Sequence, residues 1–98
     1  MIERQDRFGG TWRTHRYPGI RSDSDLHTFG FSWKPWKKKA IAEAQLILDY
    51  LDEAMAEQDL HRRVRYGHEV ISADWSSKEA RWTLRLRRLA DGEELRVA

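Results

Sequence analysis

Cysteine is absent from the 98 residues, so neither a disulfide nor a thiolate ligand for a metal is available. The four histidines (His15, His27, His61 and His68) show no pairing at three or four residues. No carboxylate pair is placed for acid–base work, which argues against both a metal site and a nucleophile–base catalyst. No apolar run approaches the ~20 residues that a membrane span needs, and no signal-peptide pattern opens the chain. We therefore expect a cytoplasmic protein that holds no metal and enters no membrane.

An excess of one charge sign is also missing. Lysine and arginine number 18 against 16 aspartates and glutamates, a net charge of +2. Because a nucleic-acid-binding tail needs a much larger basic excess, we expect no nucleic-acid partner. Hydrophobic residues make up 40% of the chain and charged residues 35%, which permits a small core with a solvated surface. Residues 1–98 are therefore one small domain or part of one.

Hydrophobic periodicity predicts one amphipathic helix over 40–60, with its regular part at about 40–58. Apolar residues recur there at the three- and four-residue spacing of a single buried stripe. The stripe consists of Ile47, Tyr50, Leu51, Ala54 and Met55.

Beyond residue 67 the hydrophobic period changes to two, which is typical of strands. A strand is predicted at 69–75, a second at 81–88, and a third beginning at Leu95 after the tight-turn dipeptide Asp91-Gly92. The result over 68–98 is an antiparallel β-meander with one apolar and one basic face. The fold class predicted is therefore α+β, with the helix packed over this small sheet.

The N-terminal part, 1–39, is predicted to be an irregular glycine-rich loop region that faces a ligand. Gly9 and Gly10 lack Cβ atoms, so the backbone can take positive φ and approach a large molecule closely. Tyr17-Pro18-Gly19 predicts a turn, and Arg21-Ser22-Asp23 adds a cation, a hydroxyl and a carboxylate. With the flat side chain of Trp12, these groups suit a planar, phosphate-bearing ligand.

These same residues carry a resemblance to a known family. Glu3, then Gly9-Gly10-Thr11-Trp12, then the run from Tyr17-Pro18-Gly19 to Asp25 resemble the flavin-dependent monooxygenases. The likeness is greatest to the Baeyer–Villiger branch that contains the ethionamide-activating monooxygenases. It continues through Phe29-Gly30-Phe31, Pro35-Trp36 and 70–75, and so spans nearly the whole chain.

The resemblance implies FAD and NADPH as cofactors, a part of a Rossmann-like FAD domain as the fold, and a small-molecule substrate. Such enzymes oxygenate ketones or sulfur and nitrogen centres. They open with a strand and a G-x-G-x-x-G turn and carry a second, NADPH-binding glycine motif, and neither motif occurs here. We therefore expect an internal piece of a longer enzyme that is inactive alone, binds FAD weakly or not at all, and self-associates through the unpaired edge of its Glu3 segment.

The resemblance also implies roles for individual residues. Glu3 would hold the adenosine ribose hydroxyls, and Val70 would begin the strand that lies against adenine. The segment between flavin and nicotinamide would present Asp23, the candidate catalytic residue, which is expected to contact the cofactor. The full set of expected cofactor contacts is Glu3, Gly10, Thr11, Trp12, Arg13, Thr14, Arg21, Ser22, Asp23 and Val70.

Other interpretations remain open for these residues. Trp12 is equally suited to be a half-buried core anchor, and Asp23 and Asp25 to be turn caps. The chain as a whole also fits a different flavoprotein class that shares the Gly-Gly-Thr-Trp loop, such as the N-hydroxylating monooxygenases. A third interpretation is a non-enzymatic basic-aromatic binding module, because Lys34 and Lys37-Lys38-Lys39 surround Trp36.

Overall fold

A computed structural model describes all of residues 1–98 and divides them into two units. One unit contains Met1–Phe8 and Arg62–Ala98 and carries a β-sheet. The other contains Gly9–His61 and carries the α-helices. None of the helices has the length and apolar character to cross a membrane.

The sheet is a three-stranded antiparallel meander in the order β1 (His68–Ser76), β2 (Arg81–Arg88) and β3 (Glu94–Val97). The predicted meander is therefore confirmed, and the bounds of its second strand are those expected. Strand β1 is one residue longer at each end than the predicted 69–75. A β-bulge interrupts the β1–β2 register between Val70 and Ser72.

The register gives the sheet its predicted apolar and basic faces. Leu86 lies opposite Leu95 on β3, and Trp82 lies opposite Trp75 on β1. Leu86 is fully buried, whereas Trp75 and Trp82 are half exposed and pack on each other with ring centroids 5.6 Å apart. The apolar face is therefore buried at Leu86 and open at its tryptophan end.

The N-terminal residues extend this unit by a short parallel pairing. Ile2 pairs with Arg65, the Glu3 amide donates to the Arg65 carbonyl at 3.0 Å, and the His68 amide donates to the Glu3 carbonyl at 3.1 Å. Our expectation that the Glu3 segment has no neighbour to pair with was wrong, because parallel neighbours can lie far apart in sequence. The argument for self-association through that segment loses its premise.

Three α-helices lie in 9–61: α1 (Thr11–Thr14), α2 (Leu26–Phe29) and α3 (Ala44–Glu57). A short 3₁₀ helix follows at His61–Arg63. Helix α3 is the predicted amphipathic helix, but it begins at Ala44 rather than at residue 40. The preceding residues instead bond to the loop: the Leu26 amide donates to the Ala40 carbonyl and the Ser22 amide to the Ala42 carbonyl. These tertiary hydrogen bonds replace the helical ones.

The buried side of α3 packs within its own unit. Ile47 joins Trp36 and Ala42 in one buried cluster, against which partly buried side chains of the loop and of α3 pack. These are Trp12, Leu26, Leu46, Tyr50 and Leu51. The loop region thus packs against the Ile47, Tyr50 and Leu51 part of the predicted stripe. Leu48, which lies outside the predicted stripe, is also buried.

The 9–25 stretch is largely irregular, as predicted, except for the single helical turn α1. Gly9 and Gly10 enter this turn with φ of 120° and 51°, values that favour glycine. A Cβ atom at Gly9 would lie 2.7 Å from Leu48 Cδ2, whereas a Cβ at Gly10 would meet nothing within 4 Å. The two glycines therefore share a conformational requirement but differ in packing.

We predict that Gly9→Ala destabilises the protein more than Gly10→Ala, by about 1–2 kcal/mol. Both substitutions strain a backbone at positive φ, but only the one at Gly9 also pushes against buried Leu48. Urea unfolding of the two variants and the wild type measures the difference. Equal losses would mean that backbone strain alone requires glycine at both positions.

Candidate functional site

The Gly-Gly-Thr-Trp segment presents open backbone next to a partly buried tryptophan. The space that a Cβ would occupy at Gly10 is empty, and the following Thr11 side chain is exposed. Trp12 packs against the buried cluster of Trp36, Ala42 and Ile47, so its role as a core anchor is real. Because part of its surface remains accessible, an additional ligand contact is compatible with this packing.

Arg13 and Thr14 complete the turn of α1, with Arg13 partly buried and Thr14 exposed. Arg13, but not Thr14, lines a groove of about 640 Å³, together with His15, Arg16 and Tyr17 among others. The predicted Tyr17-Pro18-Gly19 turn is present, closed by a hydrogen bond from the Ile20 amide to the Tyr17 carbonyl at 3.2 Å. This groove is the most basic part of the site.

Ser22 ties the loop to the segment before α3. It is 6% exposed, its amide donates to the Ala42 carbonyl at 2.9 Å, and its Oγ accepts from the Ala42 amide at 3.1 Å. The Ser22 hydroxyl therefore already uses one of its acceptor sites inside the protein. The neighbouring Arg21 is exposed and donates from Nε to the Gly19 carbonyl at 3.1 Å.

Asp23 and Asp25 have different roles in the structure. Asp25 caps α2 by accepting from the His27 amide at 2.8 Å, so its capping interpretation holds. Asp23 caps nothing: its carboxylate is exposed and accepts from Ser24 Oγ at 3.3 Å. The buried Ser22 fixes the backbone on one side of Asp23 and leaves its carboxylate accessible.

A pocket of about 330 Å³ opens beside Asp23. We call it the aromatic pocket; its walls come from the loop and from α3. Its lining residues are Trp12, Ser22, Asp23, Ser24, Leu26, Phe29, Gly30, Phe31, Trp36, Ile47, Tyr50 and Leu51. The sequence predicted Tyr50 as part of the buried stripe of the helix and predicted no ligand contact for Phe29 or Phe31. No local pattern could have shown that residues from such distant segments share one pocket.

Gly30 is required where the pocket wall turns. A Cβ atom there would lie 2.9 Å from the Trp36 amide nitrogen, a backbone atom that has little freedom to move. Tyr50 fixes the same region, because its hydroxyl accepts from the Phe31 amide at 2.9 Å and donates to the Lys34 carbonyl. Its ring packs edge-on against Trp36, with centroids 5.3 Å apart.

Two residues of the basic-aromatic segment, Trp36 and Lys34, make contacts inside the protein. Trp36 is 5% exposed, so its ring faces are unavailable for stacking on bases. Lys34 Nζ lies 2.6 Å from Glu57 and 3.4 Å from Glu53. The hydrogen bond that Lys34 donates to Glu57, then the one to Glu53 and the negative charges of both carboxylates, raise the pKa of Lys34 above its usual value. The charge of Lys34 is thus paired with glutamates of α3, which compete with any phosphate group for it.

The other two expected contacts, Glu3 and Val70, belong to the sheet unit. Glu3 Oε1 accepts from the Gln5 amide at 2.8 Å, which leaves the second carboxylate oxygen for another partner. Val70 is 47% exposed and pairs with Leu86 beside the β-bulge. Across the chain, no group of three or more histidine, aspartate or glutamate side chains is placed to hold a metal ion.

The open glycine turn, the tryptophan beside it and the exposed loop aspartate belong to the segments that carry the resemblance to the flavin-dependent monooxygenases. The chain is 47% identical over 87 residues to the FAD-containing monooxygenase EthA of Mycobacterium tuberculosis (strain ATCC 25618 / H37Rv), covering 88% of this chain and 18% of that protein. It is 45% identical over 98 residues to EthA of Mycolicibacterium smegmatis, covering 99% of this chain and 20% of that one. No family model matches the chain.

Solved structures of the same class share the fold. The chain resembles a steroid monooxygenase bound to NADP with a TM-score of 0.76 and 32% identity, over 97% of this chain and 19% of that one. It resembles OTEMO in complex with FAD and NADP with a TM-score of 0.71 and 26% identity, over 97% and 19%. The predicted resemblance is therefore confirmed. The chain spans about a fifth of the length of these curated relatives.

We predict that Ser22→Ala lowers the free energy of unfolding by about 1–3 kcal/mol, because the Ala42 amide would lose its buried acceptor. Ser24→Ala is the matched control and should stay within about 0.5 kcal/mol of the wild type, since Ser24 is exposed. Denaturant unfolding measures both. A Ser22→Ala variant as stable as Ser24→Ala would exclude the hydrogen bond as a stabilising element.

Proposed function

We propose that this chain is the part of an FAD- and NADPH-dependent monooxygenase of the Baeyer–Villiger type that forms one side of the cofactor site. The observation that carries the proposal is the 47% identity to an FAD-containing monooxygenase over 88% of this chain. The fold agrees, because a solved structure bound to NADP and one in complex with FAD and NADP superpose on nearly all of it. The substrate would be a small ketone or a compound with a reactive sulfur or nitrogen centre.

The residues present fit a flavin. The space beside Gly10 is open, so a planar or phosphate-bearing group can approach the backbone there as closely as glycine permits. Thr11 offers an exposed hydroxyl, Trp12 a partly exposed ring, and the second oxygen of Glu3 an acceptor for a ribose hydroxyl. Arg13, Thr14 and Arg21 would add further donors, and Val70 backbone contact to adenine.

In this proposal FAD, reduced by NADPH, supplies the redox chemistry and the activation of oxygen. The chain's own contribution is binding and orientation. Asp23 accepts hydrogen bonds from the nicotinamide carboxamide or a ribose hydroxyl, and so acts as the catalytic residue of the segment. Ser22 positions Asp23, because its two bonds to Ala42 hold the loop backbone in place. A cytoplasmic location accompanies this function.

A second candidate is a flavoprotein of another class, such as an N-hydroxylating monooxygenase. The Gly-Gly-Thr-Trp loop alone does not distinguish the two classes. The relatives favour the first class, since the neighbours of known structure include a cyclohexanone monooxygenase bound to NADP⁺ at a TM-score of 0.72. The basic-aromatic binding module has least support, because Trp36 is buried and Lys34 is paired.

A chimera tests the proposal. In it, the residues of M. tuberculosis EthA that match this chain are replaced by those of this chain. We expect the chimera to purify with FAD and to consume NADPH. In the chimera, Asp23→Ala should slow flavin reduction about tenfold or more while the melting temperature changes little, because a solvent-exposed carboxylate contributes little packing.

Stopped-flow reduction by NADPH and a thermal melt measure the two effects, and Asp25→Ala in the chimera is the matched control. Asp25 caps α2, so its loss should lower stability and leave the reduction rate almost unchanged. A chimera without FAD would refute the proposed function. An unchanged rate of flavin reduction in the Asp23→Ala chimera would show that Asp23 has no part in the proposed function.

The 98-residue chain by itself should not retain FAD. The pyrophosphate of FAD rests on a G-x-G-x-x-G turn at a helix N-terminus in this kind of fold, and no such turn occurs in this sequence. We expect free flavin to separate from the purified chain on gel filtration, with no change in flavin fluorescence. Stoichiometric yellow protein would contradict the prediction and would show that these residues form a competent site unaided.

A further inference from the structure

The aromatic pocket has walls made of ring surfaces. Its five aromatic residues are Trp12, Phe29, Phe31, Trp36 and Tyr50. Phe29 and Phe31 carry no polar side-chain atom, and those of Trp36 and Tyr50 are already bonded. Trp36 Nε1 donates to the Lys39 carbonyl at 2.8 Å, and the Tyr50 hydroxyl bonds to the backbone of Phe31 and Lys34. Apart from the indole N–H of Trp12, these side chains therefore offer a ligand apolar ring surface, of which the nearly buried Trp36 contributes little.

A single formal charge lies in the lining of this pocket, and it is negative. It belongs to Asp23, and no lysine, arginine or histidine lines the pocket with it. The Asp23 carboxylate is exposed and receives a hydrogen bond from Ser24 but forms no salt bridge. The pocket thus combines the accessible aromatic surface of Trp12, Phe29 and Phe31 with a carboxylate that has no counter-ion. The Tyr50 ring already has the Lys34 ammonium 5.8 Å from its centroid.

This combination favours one class of ligand. Aromatic faces attract organic cations, and a nearby carboxylate adds Coulomb attraction. An anionic group would face Asp23 without compensation, and a neutral polar group would find few hydrogen-bonding partners in the walls. A volume of about 330 Å³ is at the small end of ligand pockets, enough for one ring with a short substituent.

We propose that the aromatic pocket binds a small apolar organic cation, of the alkylammonium class, through its aromatic walls and Asp23. The proposal shares Asp23 with the proposed function but does not rest on flavin binding. It concerns the chain without any cofactor, so the two can fail separately.

The test uses the full chain and a matched pair of probes. Benzyltrimethylammonium carries the cation, and N,N-dimethylbenzamide is a neutral molecule of similar size. Binding is followed by ¹H–¹⁵N NMR of the indole N–H groups, of which the chain has 5. The signals of Trp12 and Trp36 should shift saturably with the cation. The signals of Trp75 and Trp82, which lie on the sheet, should not shift.

We expect the neutral probe to bind at least about fivefold more weakly than the cation. Asp23→Asn should weaken binding of the cation by about the same factor and leave binding of the neutral probe unchanged. Asp74→Asn, an exposed carboxylate on β1, is the control and should change neither dissociation constant. Phe29→Leu should weaken binding of the cation, because it removes an aromatic ring but keeps an apolar wall. Melting curves establish that each variant is folded.

Equal binding of the two probes, or a dissociation constant for the cation that Asp23→Asn leaves unchanged, would overturn the proposal. So would shifts confined to Trp75 and Trp82, because they would place the cation on the sheet. Absence of binding by either probe up to the solubility limit would also refute it. None of these results depends on FAD, which is left out of the samples.

Discussion

The pairing of Ser22 with Ala42 is the interaction on which the candidate site depends. Two hydrogen bonds, one from each amide, join the loop to the residues before α3, and the serine is buried. Further backbone hydrogen bonds continue this pairing on either side: the Ile20 carbonyl accepts from the Ala44 amide, and the Ala40 carbonyl accepts from the Leu26 amide. An irregular loop can hold a carboxylate in a fixed place only if its backbone groups find such partners.

This constraint explains why α3 is shorter than its hydrophobic period suggests. The residues 40–43 are compatible with a helix, but their carbonyl and amide groups bond to the loop instead. The free energy of those bonds, together with burial of Trp36 and Ala42, outweighs a few more residues of exposed helix. The loop and the helix therefore share one unit, joined by these hydrogen bonds and by the buried cluster.

The aromatic residues of 29–36 and Tyr50 have two roles in this unit. They pack the loop onto α3, through the stacked rings of Phe31, Trp33 and Tyr50 and the edge contact to Trp36. They also leave a pocket whose one charge is Asp23. The proposed cofactor role and the proposed affinity for organic cations use the same carboxylate, because it is the polar group that the loop leaves accessible beside the pocket.

The sequence by itself determined the local structure and the family. Two-residue alternation set the meander and the faces of its strands, Tyr17-Pro18-Gly19 set a turn, and the spacing of the loop motifs carried the resemblance that the relatives confirm. These signals are local, and short-range physical chemistry is sufficient to read them. Asp25 could be read as a cap for the same reason.

Only the tertiary structure decided which distant residues meet. In the folded chain the Glu3 segment pairs with 65–68, and the Ser22 hydroxyl accepts a hydrogen bond from the Ala42 amide. Lys34 forms salt bridges with Glu53 and Glu57. The tertiary structure also gave the two adjacent glycines different surroundings, since only a Cβ atom at Gly9 would press on a buried leucine. Contacts between residues tens of positions apart leave no periodic trace in the chain, because they depend on how the elements pack and not on the propensity of any one of them.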